Sequence, residues 1–71
     1  MKYKEGDKLR IVGCNCGHTA YHRLLTMGLI EGKEITIKTA QPFKGPYVIR
    51  LNGTELTIGR GLFEKIVFEK V

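Results

Sequence analysis

The stretch Arg23-Leu24-Leu25-Thr26-Met27-Gly28-Leu29-Ile30-Glu31-Gly32 constrains this chain more than any other, because it reads as a helix end, its cap and the turn into a strand. With Gly28 in the left-handed conformation, Leu29 returns its N–H to the Leu24 carbonyl and Gly28 its own to Leu25. Leu29 then lands against Leu24, the apolar contact that accompanies this way of ending a helix. A Cβ at position 28 would be penalised by roughly 1 kcal/mol. The chain must therefore turn a corner here, with a helix before it and an extended segment after it.

The periodicity on either side supplies the other elements. Lys8-Leu9-Arg10-Ile11-Val12 alternates and ends at Gly13, which predicts a first strand with Leu9 and Ile11 inward, entered through the Gly6-Asp7 turn. Thr19 is placed to cap a short helix from Ala20 to Met27, with Leu24 and Leu25 as its buried stripe. After Gly32 the period becomes two: Glu34-Ile35-Thr36-Ile37-Lys38 is a half-buried strand with Ile35 and Ile37 on one face. Both prolines fall in the loop from Ala40 to Pro46, where they end that strand. Tyr47 to Leu51 and Glu55 to Ile58 flank Asn52-Gly53-Thr54, and Asn-Gly is the strongest short hairpin signal because both residues tolerate positive φ. Gly59 to Lys65 reads as a helical turn, and Ile66 to Glu69 as a last strand with Ile66 and Phe68 inward. The expected class is mainly β: an SH3-like barrel of about five short strands, with one short helix after the first strand and a helical turn before the last. Closure is the economical way to remove sheet edges that so short a chain could not otherwise cover.

Length and composition bound the function. Seventy-one residues, 42% of them hydrophobic, make one domain over residues 1–71 with a single core. Such a core supports only a few kcal/mol of net stability, about 5 or less, which leaves little capacity for a buried, strained active site, so no enzyme is expected. No apolar run approaches the ~18 to 20 residues that cross a bilayer, and the first residues lead into no hydrophobic signal segment, so the expectation is a soluble, cytoplasmic protein that does not span the membrane. The net charge of +5 favours acidic partners, but no two basic residues are adjacent. That scatter reads as a solvated mixed surface rather than a nucleic-acid-binding arm.

The quoted residues Arg23-Leu24-Leu25-x-Met27-Gly28-Leu29-x-x-Gly32, the loop from Ala40 to Pro46, and the terminal Ile66-Val67-Phe68-Glu69 resemble the ferrous iron transport protein A family over roughly residues 6 to 69. Two departures stand out: Glu31 where the family usually has Pro before the second glycine, and Lys44-Gly45-Pro46 where it usually has Gly-Gly-Pro. Both are compatible with the same turns. The resemblance implies an SH3-like barrel in the cytoplasm that assists the membrane ferrous iron importer, ferrous iron transport protein B, by binding its cytoplasmic part. It also implies likeness to the C-terminal module of iron- and manganese-responsive repressors, whose winged helix this chain lacks.

Three constellations could carry chemistry. Cys14, Cys16, His18 and His22 place four soft-metal ligands within nine residues, with the two histidines spaced i, i+4. Zinc or iron suits that donor set, although Cys-x-Cys is tighter than the usual Cys-x2-Cys and no cofactor is required by anything else in the chain. A disulfide between these two cysteines would close a small ring of little entropic value, so reduced thiols are expected. A partner surface would draw on Tyr21, Arg23, Met27, Phe43, Lys44 and Tyr47, from the loop before the third strand or the exposed side of the helix, with no basis for choosing between the faces. A nucleic-acid reading would use Tyr47, Phe43 and Tyr21 as stacking platforms beside Lys44, Arg50 and Arg23. The expectation is instead that these aromatics act as lids on the barrel and that no nucleic acid is bound.

Overall fold

Alternation of apolar and polar residues sets the strands, and in a computed structural model of the chain it yields five of them: β1 (Lys8–Cys14), β2 (Glu34–Ala40), β3 (Tyr47–Leu51), β4 (Thr54–Ile58) and β5 (Ile66–Lys70). Helix α1 (His18–Thr26) follows β1, and the single turn α2 (Arg60–Phe63) precedes β5. The structure describes residues 3–40 and 45–71, with Ala40 described by its backbone only. Phe43 and Lys44, both candidates for a partner surface, lie outside the described residues.

Every pairing is antiparallel, in the order β4-β3-β2-β1-β5. The register shifts between Ile11 and Gly13 on β1 and between Ile37 and Thr39 on β2. Such irregularities bend a strand and raise its twist, which curls a five-stranded sheet around one core. They also explain why both strands run two residues beyond their expected ends: the alternation is lost at the bulge, while the pairing resumes after it. Strands β4 and β5 end the order and are joined in sequence by α2. The Asn52-Gly53 turn connects β3 to β4 with φ of 52° and 80°, as a two-residue hairpin with both central residues at positive φ requires.

The inward positions of all five strands converge. Leu9, Ile11, Ile35, Ile37, Ile49, Leu51, Ile58 and Ile66 are buried together with Leu24 and Leu29 from the α1 corner. Each such side chain contributes about 1.5–3 kcal/mol relative to exposure. Phe63 of α2 closes one end, stacked on Tyr47 with ring centroids 3.9 Å apart, while Tyr3 meets it edge-on. Tyr47 is thus 3% exposed, with the Arg60 guanidinium 5.1 Å from its ring centroid. This corrects its placement at a partner-binding face: an inward position at the start of β3 and a stacked neighbour take the ring out of reach. It also removes one of the three aromatic platforms of the nucleic-acid reading.

The corner is built as its residues require. Gly28 has φ +83°, Leu29 donates to the Leu24 carbonyl at 2.9 Å and Gly28 to Leu25 at 3.0 Å. The segment after it is sewn to β1, since Ile11 donates to Lys33 at 2.9 Å and Gly32 donates to Ile11 at 2.8 Å. The helix differs at its other end. It begins at His18 rather than Ala20, its N-cap is Gly17 in an extended conformation, and no side chain caps it, so Thr19 lies within the first turn. On the far face of the sheet Arg10 reaches both neighbouring strands, to Glu69 of β5 at 2.6 Å and Glu34 of β2 at 3.5 Å. The hydrogen bond it donates to Glu69 first, then the one it donates to Glu34, holds the Arg10 guanidinium above its ordinary pKa.

Candidate functional site

Helix α1 carries most of the chemistry-bearing residues, and its nine positions divide them by direction. Leu24 points into the core at 2% exposure, and the half-buried Met27 packs against that core from the helix end. Tyr21 and Leu25, one turn apart, sit at the edge of the buried stripe and are 50% and 40% exposed. Beyond them by about 60° around the helix come His18 and His22, both exposed. Arg23 is exposed on the opposite side, next to Gly17, Ala20 and Lys65.

Leu25 was expected in the buried stripe, and here the structure differs. Adjacent helical residues diverge by about 100°, so a two-turn helix that buries Leu24 flat on the sheet must turn Leu25 partly out. The corner repeats the arrangement in extended form: Leu29 is 3% exposed and Ile30 is 40% exposed. Between them these side chains form an open groove of about 300 Å³, whose walls are Tyr21 and Leu25 on α1, Ile30 and Glu31 after the corner, and Gly13 and Cys14 at the end of β1. Its floor is the core itself, through Ile11, Leu24 and Leu29. Large apolar side chains left half exposed around one concavity are what a docking surface requires. Of the described residues expected to bind a partner, only Tyr21 lies here, and Leu25 and Ile30 join it from outside that set.

The four-ligand metal set does not assemble. Cys14 and Cys16 are joined to each other in a disulfide, with Cα atoms 5.4 Å apart, inside the ordinary range for a bridge. That corrects the expectation of reduced thiols. Cys14 ends β1 and Cys16 lies in the segment leading to α1, while Asn15 between them donates to the Lys65 carbonyl at 2.7 Å. Both cysteine side chains pack against the core, whereas both histidines face outward from α1. Among the described residues no three of His, Cys, Asp and Glu are grouped so as to hold a metal ion. What the structure does bring together is His18 and His22, whose Nε2 atoms are 3.1 Å apart with the rings nearly perpendicular at 79°.

Nothing in this arrangement resembles a reacting centre. The sulfurs are bonded to one another, so neither is a thiolate nucleophile in this form. Among the described residues no buried polar or charged residue stands beside a cavity, and no helix is long and apolar enough to cross a membrane.

Comparison with known proteins adds the following. A family model described as the FeoA domain matches residues 2–70. The Fe(2+) transport protein A of Methanocaldococcus jannaschii is 35% identical over 66 residues, covering 93% of this chain and 78% of that protein. A crystal structure of an iron uptake regulatory protein (FeoA) superposes with a TM-score of 0.87 at 31% identity, over 99% of this chain and 90% of that one. The manganese-activated repressor ScaR superposes with a TM-score of 0.86 at 21% identity, over 99% of this chain but 33% of the repressor. That last likeness is one of fold, to a part of a larger protein.

Proposed function

The chain belongs to the FeoA family, and from that premise we propose that it is a non-enzymatic cytoplasmic accessory of ferrous iron uptake that acts by contact with the cytoplasmic part of the membrane ferrous iron transporter, a FeoB-like protein. The observation that carries the reading is the apolar groove between α1 and the Gly28 corner. Tyr21, Leu25 and Ile30 leave apolar surface half exposed around it, three large apolar side chains gathered at one concavity. A short amphipathic segment of the transporter would seat one or two apolar anchors between Leu25 and Ile30. Tyr21 supplies a rigid amphipathic wall, the kind of residue that carries a disproportionate share of binding energy. Arg23 lies on the other side of α1 and would meet the partner only at the rim.

The test is capture of the transporter's cytoplasmic domains by the full chain, with and without nucleotide and ferrous iron. The wild type is expected to bind, and Leu25→Asp or Ile30→Asp to lose binding by at least about tenfold, since each buries a charge against apolar anchors. Binding unaltered by both substitutions would move the contact off the groove. Capture of none of the transporter's domains under any of these conditions would remove the mechanism altogether.

A further inference from the structure

One feature of α1 is used neither by the fold nor by the groove. His18 and His22 are exposed, stand one helical turn apart, and turn the same ring nitrogen, Nε2, toward each other at 3.1 Å. In the metal-free chain this contact is an N–H···N hydrogen bond, which needs one Nε2 protonated and the other bare.

We propose that His18 and His22 form a two-imidazole chelate for one divalent transition-metal cation, with water filling the remaining positions. The distance carries the argument. Zinc–imidazole bonds run about 2.0–2.1 Å, and two such bonds to nitrogens 3.1 Å apart enclose an angle of about 98° at the ion. That angle lies between the octahedral and tetrahedral values, so an ion fits between the rings with little movement of either. The ring planes cross at 79°. An imidazole lone pair lies in its ring plane, and an ion on the line shared by two crossing planes lies in the plane of both rings, so that rotation of the two exposed side chains brings each lone pair onto it. Binding requires both Nε2 atoms bare, with each ring proton on Nδ1, a tautomer change that exposed rings complete through water.

The helix holds the pair for its own reasons. α1 is anchored behind them by Leu24 in the core and by the Gly28 cap, so neither backbone position has to be ordered by the metal. Thr26 extends the same face and returns its hydroxyl to the His22 carbonyl at 2.9 Å. Two effects oppose binding. His18 opens the helix, where the positive end of the macrodipole weakens cation affinity by up to about fivefold, and Lys65 lies close to His18. Both moderate the affinity without disturbing the geometry. The cysteines take no part, since their sulfurs are committed to each other. Imidazole donors select zinc, copper or nickel over calcium and magnesium. The open coordination positions mark an ion that can be exchanged or completed by a donor from another molecule.

The experiment is a zinc chloride titration of untagged full-length protein in buffer without chelators, followed by calorimetry and by the histidine ring resonances. The wild type is expected to bind one zinc per chain, with both histidine rings shifting together. His18→Gln and His22→Gln should each weaken binding by at least about tenfold. The double variant His18→Gln/His22→Gln should be weaker than either single one by much less than the product of the two single effects, because a chelate is broken by losing one arm. The Cys14→Ser/Cys16→Ser variant should bind within about threefold of the wild type. The proposal is overturned if no binding is seen up to about 1 mM zinc, if the histidine variants bind like the wild type, or if their effects add as for independent sites. It is equally overturned if the cysteine variant is the one that loses the metal. Thermal melts without zinc guard against misfolding: the histidines are exposed, so each variant should melt with the wild type, and a zinc-induced rise in melting temperature should appear only where both rings are present.

Discussion

Gly28→Ala isolates the conformational term at the corner from any packing term. Gly28 sits at φ +83°, and a Cβ built there meets nothing nearer than Leu51 Cδ2 at 3.5 Å, an ordinary van der Waals contact. The added methyl therefore fits, and the penalty is the left-handed backbone alone, about 1 kcal/mol. Unfolding entropy near 60 °C is about 2.1 cal/mol/K per residue, or about 150 cal/mol/K for this chain, so that penalty lowers the melting temperature by about 7 °C. Gly61→Ala is the internal control. It lies in α2 with nothing within 4 Å of its built Cβ and no positive φ, so reduced freedom of the unfolded chain should raise the melting temperature by about 3 to 7 °C. Calorimetry or circular dichroism reads both, and urea unfolding should show shifted midpoints at unchanged slope. The reasoning is refuted if Gly28→Ala melts within about 2 °C of the wild type, or if Gly61→Ala falls as far as Gly28→Ala does. A drop beyond about 15 °C would also refute it, because only a packing clash that the geometry lacks could be so large.

Three further outcomes are expected. Phe63→Ala removes the ring that closes the barrel end against Tyr3 and Tyr47, at about 3–5 kcal/mol, so in a domain this small a large unfolded fraction should appear by circular dichroism at 25 °C, about room temperature. Leu25→Asp and Ile30→Asp exchange half-exposed side chains, so their unfolding free energies should stay within about 0.5 to 1 kcal/mol of the wild type even where partner binding is lost, as paired urea titrations would show. Arg10→Lys keeps the charge but loses the fork between Glu69 and Glu34; its melting temperature should fall at low salt, and the deficit should shrink in about 1 M sodium chloride. The carboxylates raise the Arg10 pKa in the fold, so the stability this adds is complete below the unfolded value and lost only as pH rises through the folded one. Between about pH 6 and 9 the deficit should therefore stay constant.

The sequence speaks most clearly where one residue type meets one backbone requirement. Gly28 and the Asn52-Gly53 pair fall where expected because few other residues tolerate those φ values, and the alternating apolar residues of β2 and β3 place their own core face. The ends of β1 and β2 were less legible, since a bulge at one residue erases the period of two while leaving the pairing intact. Thr19 has the side chain of a cap, yet Gly17 enters the helix without any side-chain bond, its carbonyl accepting from the Tyr21 N–H at 3.0 Å. The cysteine pair failed for a related reason. Its Cα separation of 5.4 Å is shorter than the ~6.6 Å of two extended residues, so the chain bends at Asn15, and spacing alone does not reveal that bend.

The groove was present in the sequence in a form that frequency arguments hide. Leu24-Leu25 and Leu29-Ile30 are adjacent apolar pairs on either side of one glycine, and no helix or strand can bury both members of such a pair on a single face. Each pair therefore sends one side chain inward and one outward, and the left-handed turn at Gly28 decides that the two outward members, Leu25 and Ile30, end up across one concavity. It follows that the corner sets both stability and the binding surface, and the two can be separated. Ile30→Asp should abolish binding in a chain that melts normally, whereas Gly28→Ala, whose methyl fits at the left-handed turn, should lower the melting temperature and leave binding by the folded chain unchanged. A Gly28→Ala chain that melts about 7 °C lower and, while still folded, has also lost binding would show that the turn itself had shifted and carried Ile30 away from the wall on α1.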